Sequence, residues 1–227
     1  MDAGVPLFSF GRVPDQGGDL MALSDEEYWK QGTDRLEEYA GMVDSIIASF
    51  PEPRRSQVKN MMDGPIGGQF MIAPASTRRS FHNAFPCGLV AHSLSVVKFA
   101  VKLAETLAPG RWPTWKVMFV ALFHDLGKAG SPGKPYYVKS TDDWKLRRDE
   151  FYEVSKEEFM PNSEKSLYVM QQHGITLGWE ETVAIRLNDG SGAQGNEGYA
   201  FHEPDLALIV HWADHWASKQ EKAAGKK

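Results

Sequence analysis

The stretch WKVMFVALF at residues 115–123 constrains this chain more than any other. A helix-forming run this apolar belongs in an interior, covered by other elements. It leads straight into His124 and Asp125, and then into a glycine and a lysine. Burying an unpartnered carboxylate costs several kcal/mol. The fold must therefore supply something at the end of this helix that makes an imidazole and a carboxylate welcome there.

Helical periodicity dominates the rest of the chain. Its 227 residues, 42% hydrophobic and 24% charged, suffice for one sizeable core, so one domain with terminal additions is expected. Residues 1–22, rich in Gly, Pro and Asp, read as a flexible lead-in. Ser24 and Glu27 form a capping-box pattern that opens a helix over residues 24–50, with Gly32 as its weak point and Pro51 and Pro53 beyond its end. This N-terminal segment, residues 23–64, is expected to pack on a main domain of residues 65–220. Within that domain, residues 65–86 read as irregular. Residues 88–108 restore the helical period, with Leu89, His92, Val96 and Phe99 on one stripe up to Pro109-Gly110. Pro113 opens the apolar helix. Two β-prone pieces within residues 134–160, PYYV and FYEV, suggest a small hairpin around a charged middle. Helices are predicted over 163–173, 179–188 and 204–220, with glycine-rich residues 188–198 as a loop and 221–227 as a frayed tail. The predicted fold is all-α with a minor hairpin.

Charge and composition narrow the function. A net charge of -5 supplies no basic field for bulk duplex nucleic acid. A single cysteine, Cys87, rules out an internal disulfide framework. No apolar run approaches the roughly 20 residues that span a bilayer, and the N-terminus has acids and prolines where a signal peptide would be basic and then apolar. A cytoplasmic protein is expected, with a homo-oligomer left open.

Three helical segments each place a metal-capable side chain on an otherwise apolar face. His92 lies in its stripe; Val117, Ala121 and Asp125 are spaced by four with His124 adjacent; and Leu206, Val210, Asp214 and Ala217 form the inner stripe of the last helix. Each residue alone has a bland reading, as a hydrogen-bonded core histidine or a buried ion-pair acid. Together they explain one another if a divalent cation sits among them, balancing the carboxylates and using neutral imidazoles as ligands.

The ordered set His92, His124-Asp125 and Asp214, within GLVAHSL, HDLGK and HWADHWA, resembles the HD-domain superfamily of metal-dependent phosphohydrolases over roughly residues 70–220. The resemblance implies an HD-domain helical bundle with those four residues holding metal at its centre. The segment APASTRRSFHNAFPCGLVAHS also resembles the entry of a branch that includes nucleotide hydrolases and exoribonuclease-like members. Two departures stand out. Where related sequences often carry histidines for a second metal, this chain has Asn162 and Asn188, and Asn is a poor ligand for a transition metal. The resemblance then implies one divalent ion (Mn, Fe, Co, Ni, Zn or Mg) and a small-molecule nucleotide, a dNTP or NMP, as substrate. In a one-metal mechanism Asp125 and Asp214 would orient the attacking water, and the likeness supports a phosphate contact for Lys128 and a place as proton acceptor for Glu164. Lys128 could equally offset a helix dipole, and Glu164 with Lys165 could be a surface pair. Arg78, Arg79 and His82, ahead of the His92 helix, are candidate substrate contacts or an ordinary solvated loop. His211 and His215 have zinc-like spacing but fall off the Asp214 stripe, which reads as a rim. Trp112, Trp115, Trp144, Phe151 and Tyr152 could stack a base or simply pack. Alternative functions are a 3′-5′ exonuclease or phosphodiesterase on short single strands and a catalytically silent HD-fold binding protein.

Overall fold

The computed structural model describes residues 24–224, so the predicted lead-in of residues 1–22 and the last three residues lie outside it. Ser24 caps α1 (Asp25–Lys30): its hydroxyl accepts from the Glu27 amide at 3.3 Å, and the Glu27 carboxylate accepts from the Ser24 amide at 2.9 Å. The chain breaks near Gly32, makes a 3₁₀ turn, and resumes as α2 (Leu36–Ala48), which buries Tyr39, Val43, Ile46 and Ile47. Tyr28 meets Phe85, and Trp29 meets Phe151, in edge-to-face ring contacts that seat this N-terminal segment on the body.

α3 (Arg54–Met62) and α4 (Pro65–Ile72) follow. The second corrects the sequence reading, which took residues 65–86 as irregular throughout. Pro65 starts the helix at a position that needs no amide donor, and Ile66 and Phe70 are fully buried. Gly67, which weakens the helical signal, is needed for packing: a Cβ there would lie 1.8 Å from the Met62 carbonyl oxygen.

The centre is built from α5 (Gly88–Leu107) and α6 (Thr114–Phe123), joined later by the last helix. Every residue of α6 from Val117 to Phe123 is buried, as the opening run requires. A 3₁₀ turn (Leu126–Ala129) follows it, and then the predicted hairpin. Strands β1 (Tyr137–Lys139) and β2 (Tyr152–Val154) pair antiparallel, with Tyr137 opposite Val154, while the charged middle folds into the short α7 (Asp143–Leu146). α8 (Asn162–Gln172) packs on the 3₁₀ turn, and α9 (Trp179–Arg186) packs on α8 and on the final helix, α10 (Asp205–Ala224). The final helix lies along α5 and continues past residue 220, so Glu221 is helical rather than part of a frayed tail. No helix among the described residues is long and apolar enough to cross a membrane. The result is a mostly helical bundle with one two-stranded sheet.

Candidate metal centre

α5, α6 and α10 bring their polar side chains together because each sits in the apolar stripe of its helix. One nitrogen each from His92 and His124 and one carboxylate oxygen from Asp214 all lie within 4.8 Å of one another. His92 Nε2 is 3.0 Å from Asp214 Oδ1, and His124 Nε2 is 3.9 Å from it. Asp125 adds its Oδ2 at 3.7 Å from His92 Nε2 and 3.4 Å from His124 Nε2. Both histidines are completely buried.

The outer ring nitrogens fix the tautomers. His124 Nδ1 donates to the Ala121 carbonyl at 2.7 Å, since a carbonyl only accepts, so a neutral His124 turns the lone pair of Nε2 into the cluster. His92 Nδ1 donates in the same way to Glu221 Oε2 at 3.0 Å. With both rings neutral, the two Nε2 atoms are buried acceptors that face carboxylates and have no hydrogen-bond partner among the described residues. Two orphaned imidazole nitrogens facing two carboxylates are a donor set that fits a divalent cation.

Asp125 is held from its other side. Its Oδ1 accepts from Asn162 Nδ2 at 2.5 Å and from Asn188 Nδ2 at 3.0 Å, while Oδ2 pairs with Lys128 Nζ at 2.6 Å. The turn carrying it is pinned too: Gly127 N donates to Ser166 Oγ at 2.7 Å, and Ser166 Oγ lies 3.2 Å from the His124 carbonyl. Gly127 is required here, because a Cβ would stand 2.2 Å from the Asn162 carbonyl oxygen. Asp214 is supported by Ser218 Oγ at 3.3 Å.

These contacts set the charges. Burial opposes ionisation of Asp125, but Lys128 and then His124 outweigh it and hold the carboxyl well below its usual range. Asp214 falls to about 2, with burial overcome by His92. Lys128 is kept cationic by Asp125 against its burial. Burial would also lower His92, yet Glu221 and then Asp214 lift it to about 10, so in the metal-free protein a proton sits where the carboxylates call for positive charge. His82 goes the opposite way, to about 2, through burial and then His92.

The remaining candidates divide. His82 is brought in: its ring centroid lies 4.8 Å from that of His92, and it forms a second trio of donors with His92 and Glu221. Arg78 pairs with Glu150 at 2.7 Å and lies over Phe81, while Arg79 is buried with its guanidinium 4.2 Å over the Tyr28 ring. Both arginines thus take part in packing the entry loop. Glu164 is exposed, 3.8 Å from Arg186, and makes no contact with the cluster among the described residues. Its neighbour Lys165 is buried and donates to Ser131 at 3.2 Å. His215 is exposed, whereas His211 donates through Nδ1 to the Asn188 carbonyl at 2.8 Å. Trp115 packs on Phe50, Trp112 donates to Glu180, and Phe151 and Tyr152 meet Trp29. Trp144 is exposed beneath Arg148.

Glu221 and Asp189 were not singled out from sequence. For Glu221 the signal existed, since it continues the Leu206–Val210–Asp214–Ala217 stripe by one more turn. The family profile of the HD domain matches residues 89–218, more than half of the chain. The chain belongs to the HD-domain family. HD-domain membership carries metal-dependent phosphohydrolase chemistry in general, and all four residues of the HD cluster fall inside the matched stretch, whereas Glu221 and the entry loop with His82 lie outside it. No curated protein and no solved structure matched the chain.

Proposed function

We propose that this HD domain hydrolyses a phosphate bond of a small nucleotide, with one divalent metal held by His92, His124, Asp125 and Asp214. The observation that carries the single-metal reading is the pair of amides on Asp125 Oδ1. An amide nitrogen has no lone pair to give a metal, and here both amide nitrogens are turned toward the carboxylate as donors. Asp125 Oδ1 is thereby already satisfied by two donors of the chain. Two imidazoles in the set favour a transition metal over magnesium.

When bound, the ion supplies a Lewis acid for a phosphoryl oxygen and lowers the pKa of the attacking water. The chain supplies the rest. Glu221 and the Ala121 carbonyl hold the two imidazoles in the tautomer that presents Nε2. Asp125 and Asp214, both ionised, orient the water. Lys128, half-buried and cationic beside Asp125, offers the positive charge that a one-ion site needs for the substrate's phosphate. His82, neutral and next to His92, is a hydrogen-bonding group at the inner wall.

The test is metal analysis of the purified protein followed by phosphate release from dNTPs, NMPs, short oligonucleotides and cyclic dinucleotides. One ion per chain is expected, with mononucleotides turned over fastest, and Asp125→Ala should lose both the metal and the activity. Two tightly held ions, faster turnover of a cyclic dinucleotide or oligonucleotide, or an active metal-loaded Asp125→Ala protein would overturn the proposal.

A further inference from the structure

A cavity of about 310 Å³ opens between residues 187–192 and the first half of α10. This is the lower end of the range for small-ligand pockets, room for one compact ligand and not for a strand. Its lining combines an apolar floor with a flat aromatic and two acids: Leu208, Trp212, Asp189 and Glu203, with Ser191 and His211 between them. No lysine or arginine lines it.

Asn188 links the lining of the cavity to the HD cluster. The side chain of Asn188 donates to Asp125, while its main-chain carbonyl receives the Nδ1 proton of His211. Asp189, the next residue, has an exposed face on the cavity, and its carboxyl still feels the cluster: burial and then Asp125 raise its pKa, against the pull of Lys128. Asp189 thus belongs to the cavity lining and lies within reach of the cluster's charges.

We infer that this cavity receives the nucleoside half of the substrate, with the base against Trp212 and its amino or sugar hydroxyl hydrogens toward Asp189 and Glu203. Charge sets the orientation. Asp189 and Glu203 repel a phosphate, which Lys128 attracts, so the anionic end goes to the cluster and the neutral, flat, donor-bearing end to the cavity. Trp212 is 47% exposed, a large aromatic face left open on the cavity lining. His211 is locked by its bond to Asn188, so the cavity wall and the carboxylate at the reacting centre are set by the same residue. The inference rests on the nucleotide reading above.

Phosphate-free nucleosides separate the two claims. Isothermal titration of the full-length, metal-loaded protein with the common nucleosides and deoxynucleosides should show saturable binding of at least one. Trp212→Ala should weaken that binding by about tenfold or more, the scale of one base–aromatic stack, with metal content unchanged, and Trp212→Phe should restore most of it. Asp189→Asn should weaken it less. No saturable nucleoside binding, or equal affinity in the wild type and Trp212→Ala, would overturn the inference. If nucleotides are hydrolysed with an unchanged KM in Trp212→Ala, the cavity assignment fails and the activity stands. If nucleosides bind through Trp212 and no nucleotide is hydrolysed, the activity fails and the cavity stands.

Discussion

Two charged clusters are buried in this bundle, and they are finished differently. Arg54 and Glu181 join α3 to α9 with side chains 12% and 4% exposed, at 3.2 Å. Every strong group there has a partner within the chain: Arg54 also donates to the Thr176 carbonyl at 2.8 Å and lies 4.2 Å over the Phe119 ring, and Glu181 accepts from the Gly178 amide at 2.7 Å. The HD cluster is equally deep, but it leaves two Nε2 atoms without a hydrogen bond and sets two carboxylates against one lysine. The first arrangement is closed and structural. The second is left open to a cation, which is the physical difference between a buried ion pair and a donor set that could bind one.

The largest expected effect tests that difference directly. Arg54→Ala leaves Glu181 buried and uncompensated and should cost about 3–5 kcal/mol of stability, by the same amount with metal and without it. Chelation should lower the melting temperature of the wild type, removing on the order of 3–4 kcal/mol at loading well above the dissociation constant. Denaturant melts of both proteins with and without chelator give all four values. An unchanged wild-type curve after confirmed metal removal would mean that the HD cluster is as self-contained as the Arg54–Glu181 pair.

A smaller effect sharpens the contrast inside the cluster. Asn188→Ala removes one donor from Asp125 Oδ1 and the link to the His124 carbonyl, 3.4 Å away. Metal affinity should fall about 10- to 100-fold, the usual range for outer-shell partners, while the fold survives. Competition titration with a chelating dye measures it, and unchanged affinity would make the amides bystanders. Replacing Asn162 and Asn188 together with His should raise the bound metal toward two ions per chain.

The smallest effect concerns pH. In the metal-free protein the His92 pKa is raised from 6.5 to about 10, so its contribution to stability is full below about 6.5 and is lost as pH rises through about 10. The proton is a partial stand-in for the cation. Metal-free stability should therefore fall with rising pH across this window, and metal affinity should rise, because the ion competes with that proton for Nε2. Parallel pH series of melts with and without metal would show the curves separating; curves that stay parallel would remove His92 from the ligand set.

Much of this was legible in the chain. The apolar stripes of α5, α6 and α10 gave the helices, and the four polar residues interrupting those stripes meet in space. Other parts depended on tertiary contacts that no local pattern carries. α4 hid behind Gly67-Gly68; the small size of Gly67 serves a close approach to Met62 rather than a loop, while a Cβ on Gly68 would meet open space. Arg79 reads from sequence as a substrate contact or a solvated loop residue; that it is buried over Tyr28 of α1 is a contact no local pattern carries. Asn162 and Asn188 were readable as poor metal ligands; that both would turn their amides onto one oxygen of Asp125 required α8 and the loop after α9 to be in place. Glu221 was obscured by a polar, lysine-rich surrounding that resembles a fraying end.

The packing of α5 along α10 has a consequence for how the protein comes to exist. His92 and Asp214 stand on neighbouring helices in space, yet most of the domain lies between them in sequence. Closing so long a loop is entropically uphill until the intervening helices have docked. The donor set is thus expected to form late in folding, after the intervening helices. A cation held there would act less as a nucleus for this bundle than as a latch, set once the last helix is home, with its influence on how slowly the finished molecule comes apart.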